Sequence, residues 1–231
     1  MARILLIDTS TAVLSVALSV DGTVVQERTC TEARQQAALT APLVKEVLDA
    51  AGIGMKDCDA VCVGSGPGSY TGLRVGVSTA KGLAFGAGKP LIAIGTLDML
   101  VQGVLPNLAY KYIVPMIDAR RMEVYTAVYT SAGEKITPIQ ALVVEEGSFA
   151  DELAAGEVLF VGDGALKCQA VLKHPHAHFQ EAAPLARHMA GLAEQAYKAG
   201  KFENVAYFEP FYLKDFVATV SKKNILLPQG Q

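Results

Sequence analysis

The chain has 231 residues, 51% hydrophobic but only 7% aromatic, with 19% charged and no tryptophan. A core of small and aliphatic side chains is within its reach, and a predominantly disordered state is excluded. With 8 basic and 9 acidic residues up to position 104, and 12 and 14 beyond it, the net charge is −3, which leaves no basic footprint for gripping a phosphate backbone.

The opening Met1-Ala2-Arg3-Ile4 has no signal-peptide core, and no run of 18 apolar residues follows anywhere, so a soluble cytoplasmic protein is expected. Ile4–Ile7 reads as a buried strand that ends in Asp8-Thr9-Ser10. Val13–Val20 and Thr23–Thr29 are β-rich, and Asp21-Gly22 between them is a two-residue hairpin signal. Residues 32–51 turn helical, with Leu39, Leu43, Val47 and Leu48 on one face, Gly52 as the stop, and Pro42 as a start or a kink. Ala60–Val63 is a short buried strand around Cys62, which reads as a reduced thiol. Cys30, Cys58 and Cys168 stand apart from it with no CxxC spacing.

That strand runs into Gly64-Ser65-Gly66-Pro67-Gly68-Ser69-Tyr70-Thr71-Gly72, and a helix over about 71–85 follows, ending at Gly86 and Gly88. Leu91–Ile94 is another buried strand, and Thr96 is placed to cap a short helix over 97–104. After Pro106 the plan restarts. Ile113–Ile117 ends in Asp118-Ala119-Arg120-Arg121, and Glu123–Thr130 is its hairpin partner. Further strands are expected near 139–144 and 158–162, helices near 163–173 and 184–200, and then an aromatic segment Tyr207–Phe216 and a polar tail holding Lys222-Lys223. Apolar strand, terminal Asp, hairpin partner is thus an order that occurs twice, a duplication of the α/β kind with its joint near 100–110.

Three features carry chemistry. The Gly64–Gly72 loop brings the free N–H groups of a helix start near any anion, although it is neither a P-loop nor a GxGxxG motif, and a compact strand-to-helix turn explains the same residues. Gly72, Gly76, Ala80 and Ala84 recur at i, i+4, a small-residue stripe fit for close approach by another helix, either within the chain or from another subunit. Asp8 and Asp118 close equivalent strands, where α/β folds gather ligands, so the pair is placed to hold a metal or a nucleotide's water shell; a turn-forming role is the alternative. His174, His176 and His178 have metal-tract spacing without a partner signature and read as a solvated loop.

The strings Ile4–Thr11, Gly66–Arg74 with Gly76 and Lys81-Gly82, and Ile117–Arg121 with Glu123-Val124-Tyr125 closely resemble the TsaB (YeaZ) family, and the resemblance extends to Pro210-Phe211-Tyr212-Leu213. It implies a duplicated actin/sugar-kinase/Hsp70-like, ribonuclease H-like fold, with one lobe over 1–104 and a smaller, degenerate one over 105–231 whose tail packs back on the first. It also implies a non-catalytic subunit of the bacterial machinery that transfers threonylcarbamoyl from threonylcarbamoyl-AMP to N6 of the tRNA adenosine next to the anticodon. The implied partners are the paralogue TsaD and the ATPase TsaE, with a homodimer in isolation and little direct grip on tRNA.

From the same resemblance, Leu39, Leu43, Gly72, Leu73, Gly76, Val77 and Ala80 are the expected partner interface, and a bulky residue at Gly76 should block assembly while the monomer stays folded. Asp8, Thr9, Ser10, Gly66, Gly68, Asp118 and Arg120 are residual nucleotide-binding positions, with ATP or ADP at the junction with TsaD and no cofactor required by this chain. Members have also been labelled glycoprotease or M22 peptidase homologues. The paralogue's His-x-x-x-His motif falls on Ala33–Pro42, which contains no histidine, and even the histidine common in the family near Gln36 is missing. No metal is therefore expected here. An actin-like ATPase using Asp8, Asp118 and the Gly66–Gly72 loop is the competing reading.

Overall fold

The computed structural model describes residues 1–32 and 34–214. The end of the aromatic segment, the polar tail and Lys222-Lys223 lie outside the described residues, as does Ala33 at the head of the first predicted helix. The chain forms two α/β lobes on mixed sheets. In the first lobe, β1 (Arg3–Asp8) pairs antiparallel with β2 (Leu14–Val20), which pairs with β3 (Thr23–Cys30). On its other side β1 runs parallel to β4 (Ala60–Gly66), and β4 to β5 (Leu91–Gly95). The β2–β3 turn sets Asp21 and Gly22 at φ 49° and 77°, the left-handed pair that a two-residue hairpin needs.

Strand β1 is apolar without alternation because both its faces are covered. Leu5 and Ile7 pack with Val44 and Val47 of α1 (Gln36–Ala50) and with Val77, Ala80 and Ala84 of α2 (Tyr70–Ala87). Ile4 and Leu6 meet Met189, Ala190 and Ala193 on the opposite face.

The second lobe repeats the plan. Its sheet has the order β11-β10-β6-β7-β9 against β3-β2-β1-β4-β5 of the first, so β6 (Tyr112–Asp118) holds the central place of β1. The strands β7 (Glu123–Thr126) and β9 (Gln140–Val143) are antiparallel, and β10 (Val158–Val161) and β11 (Ala177–Gln180) parallel, as in the first half. Even the helices correspond in order, although α4 (Ala150–Ala155) and α5 (Ala165–Cys168) are single turns where α1 and α2 are long. Each half ends in a helix that packs on the other half. Leu97 and Leu100 of α3 (Thr96–Gln102) join Ile113, Ile117 and Leu159 of the second sheet. In return, a 3-10 turn at Ala186–Met189 and α6 (Ala190–Lys198) cover the first sheet. This exchange is why residues from 186 onward sit on the first lobe.

Several expectations need correction. Glu123–Thr130 is not one strand: β7 ends at Thr126, and a separate β8 (Tyr129–Thr130) pairs with β6. The helix expected over 163–173 is only α5, and the one over 184–200 begins with the 3-10 turn. Gly95, not Thr96, precedes α3, and the buried Thr96 hydroxyl has no hydrogen-bond partner among the described residues. The histidine segment is a loop only in part. Val158 and Ala177 pair across β10 and β11, so His178 lies in a strand, where its Nε2 is 2.5 Å from Glu157. His176 Nδ1 lies 2.9 Å from the Leu153 carbonyl. No helix among the described residues is long and apolar enough to cross a membrane.

Candidate functional site

The first strand ends inside the lobe. Asp8 is fully buried, and its carboxylate accepts hydrogen bonds from the Ser10 amide at 3.3 Å and hydroxyl at 3.1 Å. A Cβ on Gly64 would lie 2.1 Å from Asp8 Oδ1, so only glycine leaves the carboxyl room. Burial pushes the Asp8 carboxyl up to about 7 against the opposing pull of the Ser10 bonds. Thr9 donates its hydroxyl to the Gly72 carbonyl at 2.7 Å, and the Ser69 amide donates to the Ser10 carbonyl at 2.7 Å.

Those contacts explain the glycines of α2. Added Cβ atoms would come within 2.2 Å of Ser10 O at Gly68, 2.1 Å of Thr9 O at Gly72 and 2.2 Å of Thr9 Oγ1 at Gly76. The stripe is therefore a close-approach surface, and the strand end of the same chain occupies it. Gly72, Leu73, Gly76, Val77 and Ala80 are all buried, Leu43 is buried, and Leu39 packs half-buried on the same core. These residues do not form an open groove. Periodicity defined the face, but it carried no information on what covers it. A bulky residue at Gly76 would collide with Thr9 before it met any partner.

The opposite faces of the two helices are the open ones. Thr71, Arg74, Ser78, Gly82, Phe85 and Gly86 lie outward on α2, with Phe85 82% exposed and, among the described residues, no neighbour within 4 Å of a Cβ added at Gly82 or Gly86. Ala37, Ala38, Ala41 and Pro42 are exposed on α1. Ser78, Gly82 and Gly86 form a second small stripe at i, i+4 that the sequence already displayed. At the start of α1, Gln36 Nε2 donates to the Thr11 and Ala12 carbonyls, both at 3.1 Å.

A cleft of about 620 Å³ separates the lobes, with Ser10–Ala12 and Gly68–Thr71 on one wall and Ile117–Arg120, Tyr125, Asp163 and Lys214 on the other. Ser10, Gly68, Asp118 and Arg120 thus share this space. Asp8 and Thr9 are buried behind it, and Gly66 lies under the chain at Phe211, whose carbonyl is 2.7 Å from a Cβ placed on that glycine. Asp118 is paired with Lys167, and its Oδ1 also accepts the Arg120 amide at 2.9 Å. Lys167 Nζ donates in addition to the Glu123 carbonyl at 2.7 Å. Asp163 accepts the Asp118 amide at 2.8 Å, and burial is the main cause that raises its carboxyl above the ordinary range. Arg120 and Arg121, at φ 73° and 52°, form the tip of the β6–β7 hairpin.

A strap follows α6 through the segment Pro210-Phe211-Tyr212-Leu213. The Phe211 amide donates to the Ser65 carbonyl at 2.8 Å, and Lys81 Nζ donates to the Ala206 and Phe208 carbonyls at 3.1 and 2.9 Å. Arg74 donates to the Tyr212 hydroxyl at 3.3 Å and lies 4.3 Å above the Tyr70 ring. Lys214 then reaches Glu123 in the second lobe. Among the described residues, no group of three or more His, Cys, Asp or Glu side chains is arranged to hold a metal ion.

Residues 30–222 match the family model described as TsaD, tRNA N6-adenosine threonylcarbamoyltransferase. The tRNA threonylcarbamoyladenosine biosynthesis protein TsaB of Escherichia coli K12 is 34% identical over 94% of this chain and 96% of its own length. The solved structure of YeaZ from Pseudomonas aeruginosa superposes with TM-score 0.80 at 29% identity, over 92% of this chain and all of that one. More distantly, the activator of 2-hydroxyisocaproyl-CoA dehydratase from Clostridium difficile, solved with bound ADPNP, shares the fold at TM-score 0.50 and 11% identity, over 86% of this chain and 96% of that one. Duplicated sheets, the glycine-packed strand end and near full-length similarity converge: the chain belongs to the TsaB (YeaZ) family of tRNA threonylcarbamoyladenosine biosynthesis proteins.

Proposed function

We propose that this chain is a non-catalytic subunit of the threonylcarbamoyl transfer machinery, which binds and activates a TsaD-like paralogue and helps recruit a TsaE-like ATPase. In that assembly the paralogue transfers threonylcarbamoyl from threonylcarbamoyl-AMP to N6 of the tRNA adenosine next to the anticodon. The observation that carries the proposal is the outward face of α1 and α2. A solvent-facing helix gains nothing from glycine, which costs about 1 kcal/mol relative to alanine at an interior position. Phe85 in water is equally unfavourable, yet Gly82, Phe85 and Gly86 stand together on this face. Both choices become favourable when another helix approaches closely, and a stable contact of that kind buries roughly 800 Å² per partner. In isolation the same face is available to a second copy of the chain.

The histidine-free first helix supports a role without metal chemistry, and the net charge of −3 supports little direct contact with tRNA. The chain needs no cofactor of its own for this role; a nucleotide bound in the assembly would sit at its junction with the paralogue. Co-purification of Phe85→Asp and Gly82→Leu variants with the paralogue tests the surface. Both should lose the complex without lowering the melting temperature by more than about 2 °C, a shift typical of surface substitutions. Retention of the complex by both variants would sink the assignment. Reconstituted tRNA modification should stop when the chain is omitted and resume when it is added back.

A further inference from the structure

An actin-like cleft implies a nucleotide whose divalent cation is held by the carboxylates at the two central strand ends. The residues present here do not fit that group. Asp8 has no access to the cleft, because it is fully buried and its carboxylate is bonded to the Ser10 amide and hydroxyl. Asp118 does reach the cleft, with its side chain 46% exposed, but its Oδ1 already receives Lys167 Nζ and the Arg120 amide.

Lys167 is not a passing surface partner. Its side chain is only 24% exposed, and a second hydrogen bond to the Glu123 carbonyl at 2.7 Å anchors the ammonium from another direction. It approaches from α5, the single helical turn that replaces the long second helix of the first lobe, right after Asp163 and Gly164. A hard divalent cation needs carboxylate oxygens that are free and negatively charged. An ammonium fixed on the same oxygen supplies the compensating charge and repels a second cation at that distance.

We propose that Lys167 is a resident cation standing where a divalent ion would bind, so that Asp118, with Asp163 beside it, is a cation site closed by the protein's own side chain. The site does not depend on the partner-binding face, which lies on α1 and α2. Its consequence for this chain alone is that magnesium–nucleotide finds no anchor in the cleft, and that removing the ammonium opens one.

Manganese titration of the full chain, followed by water-proton relaxation, tests this with Lys167→Gln, which keeps a donor toward Asp118 and Glu123 without the charge. Wild type should take up no ion below about 1 mM, whereas Lys167→Gln should bind at least about tenfold more tightly. The gain should vanish in Lys167→Gln combined with Asp118→Asn, a readout that a merely structural lysine would not move. Lys167→Met, which matches the length of the aliphatic stem, takes the place of Lys167→Gln if circular dichroism shows that variant unfolded. Manganese binding by wild type that disappears with Asp118→Asn would overturn the proposal. So would a folded Lys167 variant that binds no better than wild type.

Discussion

Asp8 and Asp118 end the central strands of two sheets with the same strand order, and the lobes handle them in opposite ways. In the first lobe, long helices and a run of glycines bring α2 down onto the strand end, and Asp8 is sealed with no cationic partner among the described residues. Its carboxyl rises to about 7 as a result. In the second lobe the matching helices have shrunk to single turns, the strand end stays open to the cleft, and a lysine compensates Asp118. Burial selects the neutral acid, whereas partial exposure selects the ion pair. The difference follows from helix length and glycine content, since the strand topology is shared.

The sharpest way to break this comparison is the pH dependence of stability. An acid whose pKa is higher folded than unfolded binds more protons in the folded state across the interval between the two values. For Asp8 that interval runs from 3.8 to about 7. Its stabilising contribution is complete below the lower bound and lost as pH rises through the upper one. Over the whole interval the change is on the order of 4 kcal/mol. Asp8→Asn should remove that slope, so the difference between urea-derived stabilities of wild type and variant should shift steadily in the variant's favour between about pH 4 and pH 7. Parallel curves would show that Asp8 is ionised when folded.

Next in size is the glycine seam. Gly76→Ala forces a Cβ to within 2.2 Å of Thr9 Oγ1, and Gly72→Ala to within 2.1 Å of the Thr9 carbonyl. The hydroxyl at Thr9 can rotate, at the loss of its bond to Gly72, whereas the carbonyl moves only with the strand. Gly72→Ala should therefore be the worse of the two, with losses of about 3 kcal/mol against about 2 kcal/mol. Chemical denaturation measures both, and equal or negligible losses would mean that α2 does not need its close approach to β1.

How much of this was legible in the sequence depended on whether the deciding contact was local. The strand Ile4–Ile7, the Asp21-Gly22 turn and both long helices follow from patterns within a few residues, and the strings around Asp8, Gly66–Arg74 and Asp118 identified the family. The partner of the Gly72–Gly76–Ala80 stripe did not follow, because Thr9 is far away in sequence and nothing in α2 names it. The pairing of Lys167 with Asp118 was equally hidden, since it spans 49 positions. β11 escaped because Ala177–Gln180 is short and polar, and only its register against β10 makes it a strand. The exchange of terminal helices between the lobes is a property of the assembled fold, and no segment carries its signature.

The smallest expected effect lies on the other side of α2 and is the most discriminating for its sign. At Gly82 an added Cβ meets nothing within 4 Å among the described residues, and no positive φ protects the glycine. Gly82→Ala should therefore stabilise the isolated chain by about 0.5–1 kcal/mol through helix propensity alone, opposite in sign to Gly76→Ala less than two turns away. If the face exists for close approach by another helix, the same methyl group should weaken binding to the paralogue while it strengthens the fold. Paired denaturation and affinity measurements on this one variant separate the two demands. A variant more stable and equally well bound would show that glycine at this position serves no partner.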